Sequence, residues 1–174
     1  MLNQSSEEKI LGVFFNFPLE KFHIREIARL SKLNPNTVLN VLRNLENEKL
    51  IIRKKKSHIV EVSANLNEGF KRLKRINNLE RIYESGIVDF LMEKFSPEAI
   101  SVVGSYSAGE DVESSDIDIV VVTKGNSEIS LSKFEKFLGR KIHLIITDYK
   151  SMSEEFYINL INGVVLYGYL DKKK

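Results

Sequence analysis

The chain of 174 residues contains no cysteine and no tryptophan, and only three prolines and three histidines. Without cysteine there is no disulfide, no iron–sulfur cluster and no thiolate zinc site, which fits a reducing cytosol. No apolar run approaches the ~20 residues of a membrane span, so no membrane partner is expected. The start, MLNQSSEEK, lacks a basic-then-apolar signal segment. These absences together predict a cytoplasmic protein. What is present suits folding: 43% of residues are hydrophobic and 29% charged, enough to bury a core and too apolar for disorder.

The net charge of +2 hides a division. Residues 1–75 hold 15 Lys and Arg against 8 Asp and Glu, a balance of +7, and residues 76–174 carry −5. Such asymmetry predicts two modules with different partners. The basic half suits a polyanion. The acidic half suits a metal-bound nucleotide.

The acidic half is organised around Ala99–Val122, AISVVGSYSAGEDVESSDIDIVVV. Ile100–Val103 and Ile117–Val122 are short β-branched runs of strand length. Between them a turn opens on Gly104-Ser105, and Asp116-Ile117-Asp118 follows ten residues later. Residues two apart in a strand share a face, so Asp116 and Asp118 are expected side by side, with Ile117 and Ile119 facing the core. Adjacent carboxylates repel, and a divalent cation relieves this; Mg²⁺ is commonly held by one or two carboxylates together with substrate phosphates. Gly104-Ser105 offers a backbone that a ligand can approach closely, with a hydroxyl and N–H groups suited to phosphate.

This combination resembles the minimal nucleotidyltransferases of the DNA-polymerase-β-like superfamily. The resemblance implies a Mg²⁺ (or Mn²⁺) ion on Asp116 and Asp118. It implies a nucleoside triphosphate, ATP first, with its β- and γ-phosphates cradled by Gly104 and Ser105. It implies transfer of a nucleoside monophosphate to a protein or nucleic-acid hydroxyl, with pyrophosphate leaving. Two positions depart from the family pattern. A third carboxylate usual on the next strand is replaced by His143 in KIHLII, and Asp148 has the wrong parity and lies past the strand end. His143 is either a base for the attacking hydroxyl, given an ordinary pKa near 6.5, or a partly buried structural residue. Ala108 stands where many relatives carry a basic residue. His23 and His58 have no metal-ligand spacing and are expected at the surface or at caps.

In the basic half, Ser5-Ser6-Glu7-Glu8 starts a helix carrying Ile10, Val13, Phe14 and Phe17, and Pro18 ends it. A second helix is predicted from His23 to Leu30. Asn34 caps a third, with Pro35 at its first position and Val38, Val41, Leu42 and Leu45 inward. Leu50–Ile52 leads to the basic tip Arg53-Lys54-Lys55-Lys56-Ser57, and Ile59–Val62 returns as a strand. Three helices and a basic hairpin resemble a winged helix-turn-helix over residues 6–63. In that fold the third helix lies in the DNA major groove. The resemblance makes Asn36, Thr37, Asn40 and Arg43 candidates for base or phosphate contact, and Arg53, Lys54, Lys55 and Lys56 candidates for phosphate contact by the wing. Winged helices also serve as protein–protein modules.

The expected organisation is thus a winged helix, mostly α with a β-hairpin wing, over residues 1–65. A helical connector follows over 66–84, then an α+β nucleotidyltransferase-like domain, a mixed sheet with flanking helices, over 85–174. The connector is read with Phe70, Leu73, Ile76 and Leu79 inward. Lys71, Arg72, Lys74 and Arg75 on its other side either extend a DNA-facing surface or are simply solvated. The apolar stripe is a place where a homodimer could pair. The functional expectation is a nucleotidyltransferase on double-stranded DNA, acting on a toxin-like partner protein or an RNA end and regulating its own expression like an antitoxin. The alternative is a winged-helix transcriptional regulator whose impaired domain senses nucleotide.

Overall fold

The computed structural model describes residues 4–56, 59–125 and 127–171. The Lys56 side chain, the hairpin tip at Ser57, His58 and the turn residue Asn126 lie outside the described residues. The chain divides into two units, 1–72 and 73–174.

The first unit opens with α1, Ser6–Asn16. Ser5 and Glu8 cap it reciprocally: the Glu8 N–H donates to Ser5 Oγ at 3.2 Å, and the Ser5 N–H donates to Glu8 Oε2 at 2.7 Å. Next comes β1, Lys21–His23, a strand the sequence does not predict, its last residue His23 standing where the second helix is expected to start. Phe22 is buried and pairs with Val62 across the sheet, and that burial makes these three residues extended. Helix α2, Ile24–Ser31, follows, then α3, Pro35–Asn47. As predicted, Pro35 sits in the first turn of α3 and Asn34 caps it, the Thr37 N–H donating to Asn34 Oδ1 at 2.9 Å. Strands β2, Ile51–Lys56, and β3, Ile59–Ala64, form an antiparallel hairpin, giving the sheet order β1-β3-β2. Phe14, Ile27, Val38, Leu42, Leu45, Ile51 and Val62 fill the core.

Helix α4, Glu68–Ser85, runs through the division between the units. The Phe70 N–H donates to Asn67 Oδ1 at 2.9 Å, so Asn67 caps it. Its inward stripe differs from the sequence expectation. Phe70, Lys74, Asn78 and Ile82 are buried, whereas Leu73 and Ile76 are exposed, Ile76 at 62%. The side predicted to be basic and solvated therefore contributes a buried lysine, and the reason lies in its partners, described below.

The second unit continues with α5, Ile87–Phe95; β4, Ala99–Val103; α6, Gly104–Ala108; β5, Ile117–Val122; α7, Ser132–Leu138; β6, Ile142–Thr147; α8, Glu154–Ile161; and β7, Val164–Gly168. The sheet order is β6-β5-β4-β7, with β5 and β6 parallel and the other pairs antiparallel. It is a mixed sheet, as the sequence predicts. Alternation separates its two faces. Ile117, Ile119 and Val121 of β5 pack with Ile82, Ile87, Leu91 and Phe134. Val120 and Val122 pack on the other side with Met152 and Leu160. Asp118 shares that second face, at the end of the strand where the apolar layer stops. No helix among the described residues is long and apolar enough to cross a membrane.

Candidate active site

β4 ends at Val103, and the chain turns at once into the single-turn helix α6 rather than the open turn expected from the sequence. Gly104 makes this possible. Its φ is +70°, and a Cβ built there would lie 2.9 Å from Asp118 Oδ2. Glycine takes that backbone region without strain and leaves the carboxylate beside it undisturbed. The Gly-Ser element therefore lets the Gly104 backbone approach Asp118 closely. Ser105, half-buried, sits in the first turn of α6.

Asp118 is the second residue of β5 and pairs in register with Val103 on one side and His143 on the other. His143 Nδ1 lies 2.9 Å from Asp118 Oδ1. A carboxylate only accepts hydrogen bonds, so Nδ1 is the donor and Nε2 carries the lone pair when the ring is neutral. The imidazole is 62% exposed. Asp116 is the exposed residue just before β5, so it flanks the strand rather than lying within it. Gly104, Asp118 and His143 are thus brought together, with Ser105 and Asp116 each one or two residues away along the chain. Asp148 is not part of this group. Its carboxylate accepts from the N–H groups of Lys150 and Ser151 at 2.8 and 3.0 Å, and those bonds hold its pKa below the usual carboxylate value.

Asp116 and Asp118 suit a hard divalent cation, because carboxylate oxygens are its preferred donors and both side chains are at least partly exposed. Among the described residues no three His, Asp or Glu side chains converge as a metal-binding set. The rest of such an ion's coordination would fall to substrate oxygens and water.

Residues 84–165 match the family model described as "Nucleotidyltransferase domain". This segment is similar to the nucleotidyltransferase domain family. A Methanocaldococcus jannaschii protein named "Putative protein adenylyltransferase" is 40% identical over 62 residues, covering 32% of this chain. The chain spans 62% of that relative's length. A solved structure titled as a "putative nucleotidyltransferase" from Sulfolobus solfataricus matches 56% of this chain and 86% of its own, at 22% identity and a TM-score of 0.35.

Within this segment, the connection from α6 to β5 carries residues that sequence reasoning did not single out. Asp111 is buried and meets three side chains. Asn78 Nδ2 donates to its Oδ1 at 2.7 Å, Lys74 Nζ lies 3.2 Å from Oδ2, and Arg140 Nη2 lies 3.6 Å from Oδ2. Lys74 also donates to the Asp111 carbonyl, and Arg140 Nη1 donates to the Glu113 carbonyl. Burial lowers the Lys74 pKa, and the Asp111 carboxylate opposes that effect. Tyr106 on α6 is buried too, and desolvation pushes its phenol up to about 12. A carboxylate directly after Gly109-Glu110 was the only available signal for this network, and nothing local names its partners.

In the first unit, Asn36, Asn40 and Arg43 are exposed on α3 and Thr37 is half-buried. Arg43 Nη1 donates to Asn40 Oδ1 at 3.2 Å. Lys54 and Lys55 are exposed on β2. Arg53 differs: its Nε donates to Glu46 Oε2 of α3 at 2.6 Å, and its Nη2 pairs with the same oxygen. His23, an exposed residue directly before α2, has its Nδ1 3.4 Å from the Val60 carbonyl.

Proposed function

We propose that the protein transfers a nucleoside monophosphate, AMP first, from a nucleoside triphosphate to a hydroxyl of a partner protein or of a nucleic acid. The carrying observation is the cradle. Gly104, having no side chain, lets Asp118 Oδ2 lie directly against its backbone, while His143 holds Oδ1 from the neighbouring strand. Asp116 and Asp118 would hold Mg²⁺ or Mn²⁺. When bound, such an ion neutralises phosphate charge that builds as pyrophosphate departs. Gly104 and Ser105 receive the β- and γ-phosphates through backbone N–H and hydroxyl groups. The acceptor hydroxyl attacks the α-phosphorus, its proton passes to His143 Nε2, and the bond to pyrophosphate breaks. The Nδ1 contact to Asp118 fixes the tautomer that this needs. The name of the archaeal relative favours a protein hydroxyl as acceptor.

The first unit we read as a winged helix on double-stranded DNA. Asn36, Thr37, Asn40 and Arg43 face the groove, and Lys54, Lys55 and Lys56 meet phosphates. Because Arg53 is paired with Glu46, its part is to hold β2 to α3 rather than to neutralise a phosphate. Binding to its own operator would make the protein an autoregulator of the antitoxin type, working in the cytoplasm as a homodimer with a toxin-like acceptor.

The test is label transfer from α-³²P-ATP with Mg²⁺ or Mn²⁺ to candidate proteins and RNA. Transfer abolished by Asp116→Asn and by Asp118→Asn supports the reading. A second reading, a regulator that binds nucleotide without turnover, is favoured by His143 standing where a third carboxylate is expected. Metal-dependent nucleotide binding with no transfer to any acceptor would establish it in place of the first. For DNA, each phosphate contact removed should flatten the log–log salt dependence by about 0.9. Lys54→Ala and Lys55→Ala should each do so, and salt-independent binding would refute the wing assignment.

A further inference from the structure

Asp111 is the third residue of the eight-residue connection from Gly109 to Asp116, between the Gly-Ser helix and the paired carboxylates. Its side chain is 1% exposed, yet it takes no part in the apolar packing on either face of the sheet. Lys74 and Asn78, one turn apart on α4, reach it together. Asn78 Nδ2 also holds the Tyr106 carbonyl of α6 at 3.0 Å. Arg140, three residues before His143, bridges Asp111 and the Glu113 carbonyl. One buried carboxylate therefore gathers α6, the connection leading to Asp116 and the lead into the strand of His143.

Stability alone gives little reason for such an arrangement. Burying ions is costly, and apolar replacements of a buried ion pair are often as stable or more so. What the ions supply here is fixed distance and direction between three segments that each carry one part of the site. We propose that Asp111, with Lys74 and Arg140, is a positioning set that fixes Asp116 relative to Gly104-Ser105 and thereby sets the affinity of the site for metal-bound nucleotide. The proposal rests on the nucleotidyl-transfer reading given above. Residues that orient metal ligands from behind typically change metal affinity or activity by about 10–100-fold when altered.

The experiment compares three variants of the full chain in binding of Mn²⁺ with a non-hydrolysable ATP analogue, read by electron paramagnetic resonance, alongside melting temperature. Asp111→Asn leaves Lys74 buried without its counter-charge and should both melt earlier and bind more weakly. Lys74→Met/Asp111→Asn removes the buried Lys74–Asp111 ion pair, keeps an acceptor for Asn78 and leaves Arg140 its bond to the Glu113 carbonyl, and should recover most of the melting temperature. Positioning predicts that this double variant still binds roughly 10–100-fold more weakly than the wild type. Affinity that recovers together with stability would overturn the proposal. Arg140→Lys, which keeps the charge but loses the fork to Glu113, serves as the second route if the double variant does not fold, and wild-type affinity there would equally overturn it. Wild-type binding that is lost in Asp118→Asn keeps the transfer reading standing whatever the positioning variants do. No binding by the wild type would overturn both.

Discussion

Gly104→Ala separates the two reasons for glycine at the head of α6. An alanine at φ +70° carries a backbone penalty of about 1–2 kcal/mol. Its Cβ would also stand 2.9 Å from Asp118 Oδ2, well inside contact distance. Asp118 has a short side chain and can relieve that overlap by turning its carboxylate. Turning strains the 2.9 Å bond to His143 Nδ1, a loss of about 1 kcal/mol. Gly139 supplies the control, because its φ is also +70° but nothing lies within 4 Å of a Cβ placed there. Gly139→Ala therefore carries the backbone penalty alone. By thermal denaturation Gly104→Ala should be less stable than Gly139→Ala by about 1 kcal/mol, or about 4–8 °C for a unit of this size.

The larger difference between the two falls on function. A displacement of about 1 Å in a reacting or ligand-holding group can cost about 100-fold. Binding of Mn²⁺–nucleotide, or label transfer, should thus collapse in Gly104→Ala and survive in Gly139→Ala. Equal binding by the two alanine variants would refute the claim that Gly104 is glycine to leave the Asp118 carboxylate undisturbed.

Three other outcomes follow from the same geometry. His143→Asp places a second carboxylate beside Asp118, so the metal-free protein should melt earlier through like-charge repulsion, while the rise in melting temperature on adding Mn²⁺ should exceed that of the wild type; an unchanged Mn²⁺ response would remove position 143 from the site. Tyr106 stays protonated in the fold up to about pH 12, whereas in the unfolded chain it ionises near 10. The folded state therefore holds the extra proton, and stability should fall between pH 10 and 12 by up to about 1.4 kcal/mol per pH unit; Tyr106→Phe should lack this decline in urea melts, and an identical alkaline limb would contradict it. Ser101 is fully buried on β4, and its hydroxyl has no hydrogen-bond partner among the described residues, so Ser101→Ala should leave stability unchanged or raise it by about 1 kcal/mol, and a clear loss in chemical denaturation would reveal a bond to that hydroxyl.

Features legible in the sequence were those with short-range causes. Asn34-Pro35 announces a helix start because a capping side chain and a proline need only the next three residues, and the structure has both in place. The parity of β5 is equally local: Ile117 and Ile119 are buried and Asp118 faces the other way. Features missed were those decided by distant partners. Three residues of β1 are too few to show a period, and their extended form depends on pairing with β3, about forty residues later. The inward face of α4 was misread because Lys74 and Asn78 look solvated until Asp111 and the Tyr106 carbonyl are folded against them. Arg53 reads as one more basic wing residue, and only folding brings Glu46, seven positions earlier, onto its guanidinium.

The two carboxylates of the motif look equivalent in sequence and are not equivalent in the fold. Asp118 lies within the sheet, paired through its backbone on both sides, with one oxygen held by His143 and the other beside Gly104. Its position is set by β4, β5 and β6 and would persist without any ligand. Asp116 stands outside the strand, at the end of an irregular connection. That connection is fixed at Asp111 by side chains from α4 and from the approach to β6. The site is therefore half built into the sheet and half suspended from a buried ionic cluster. Changes at Gly104 or His143 act on the first half and changes at Asp111, Lys74 or Arg140 on the second, so perturbations that leave the sheet core intact can still separate the two carboxylates of the proposed site.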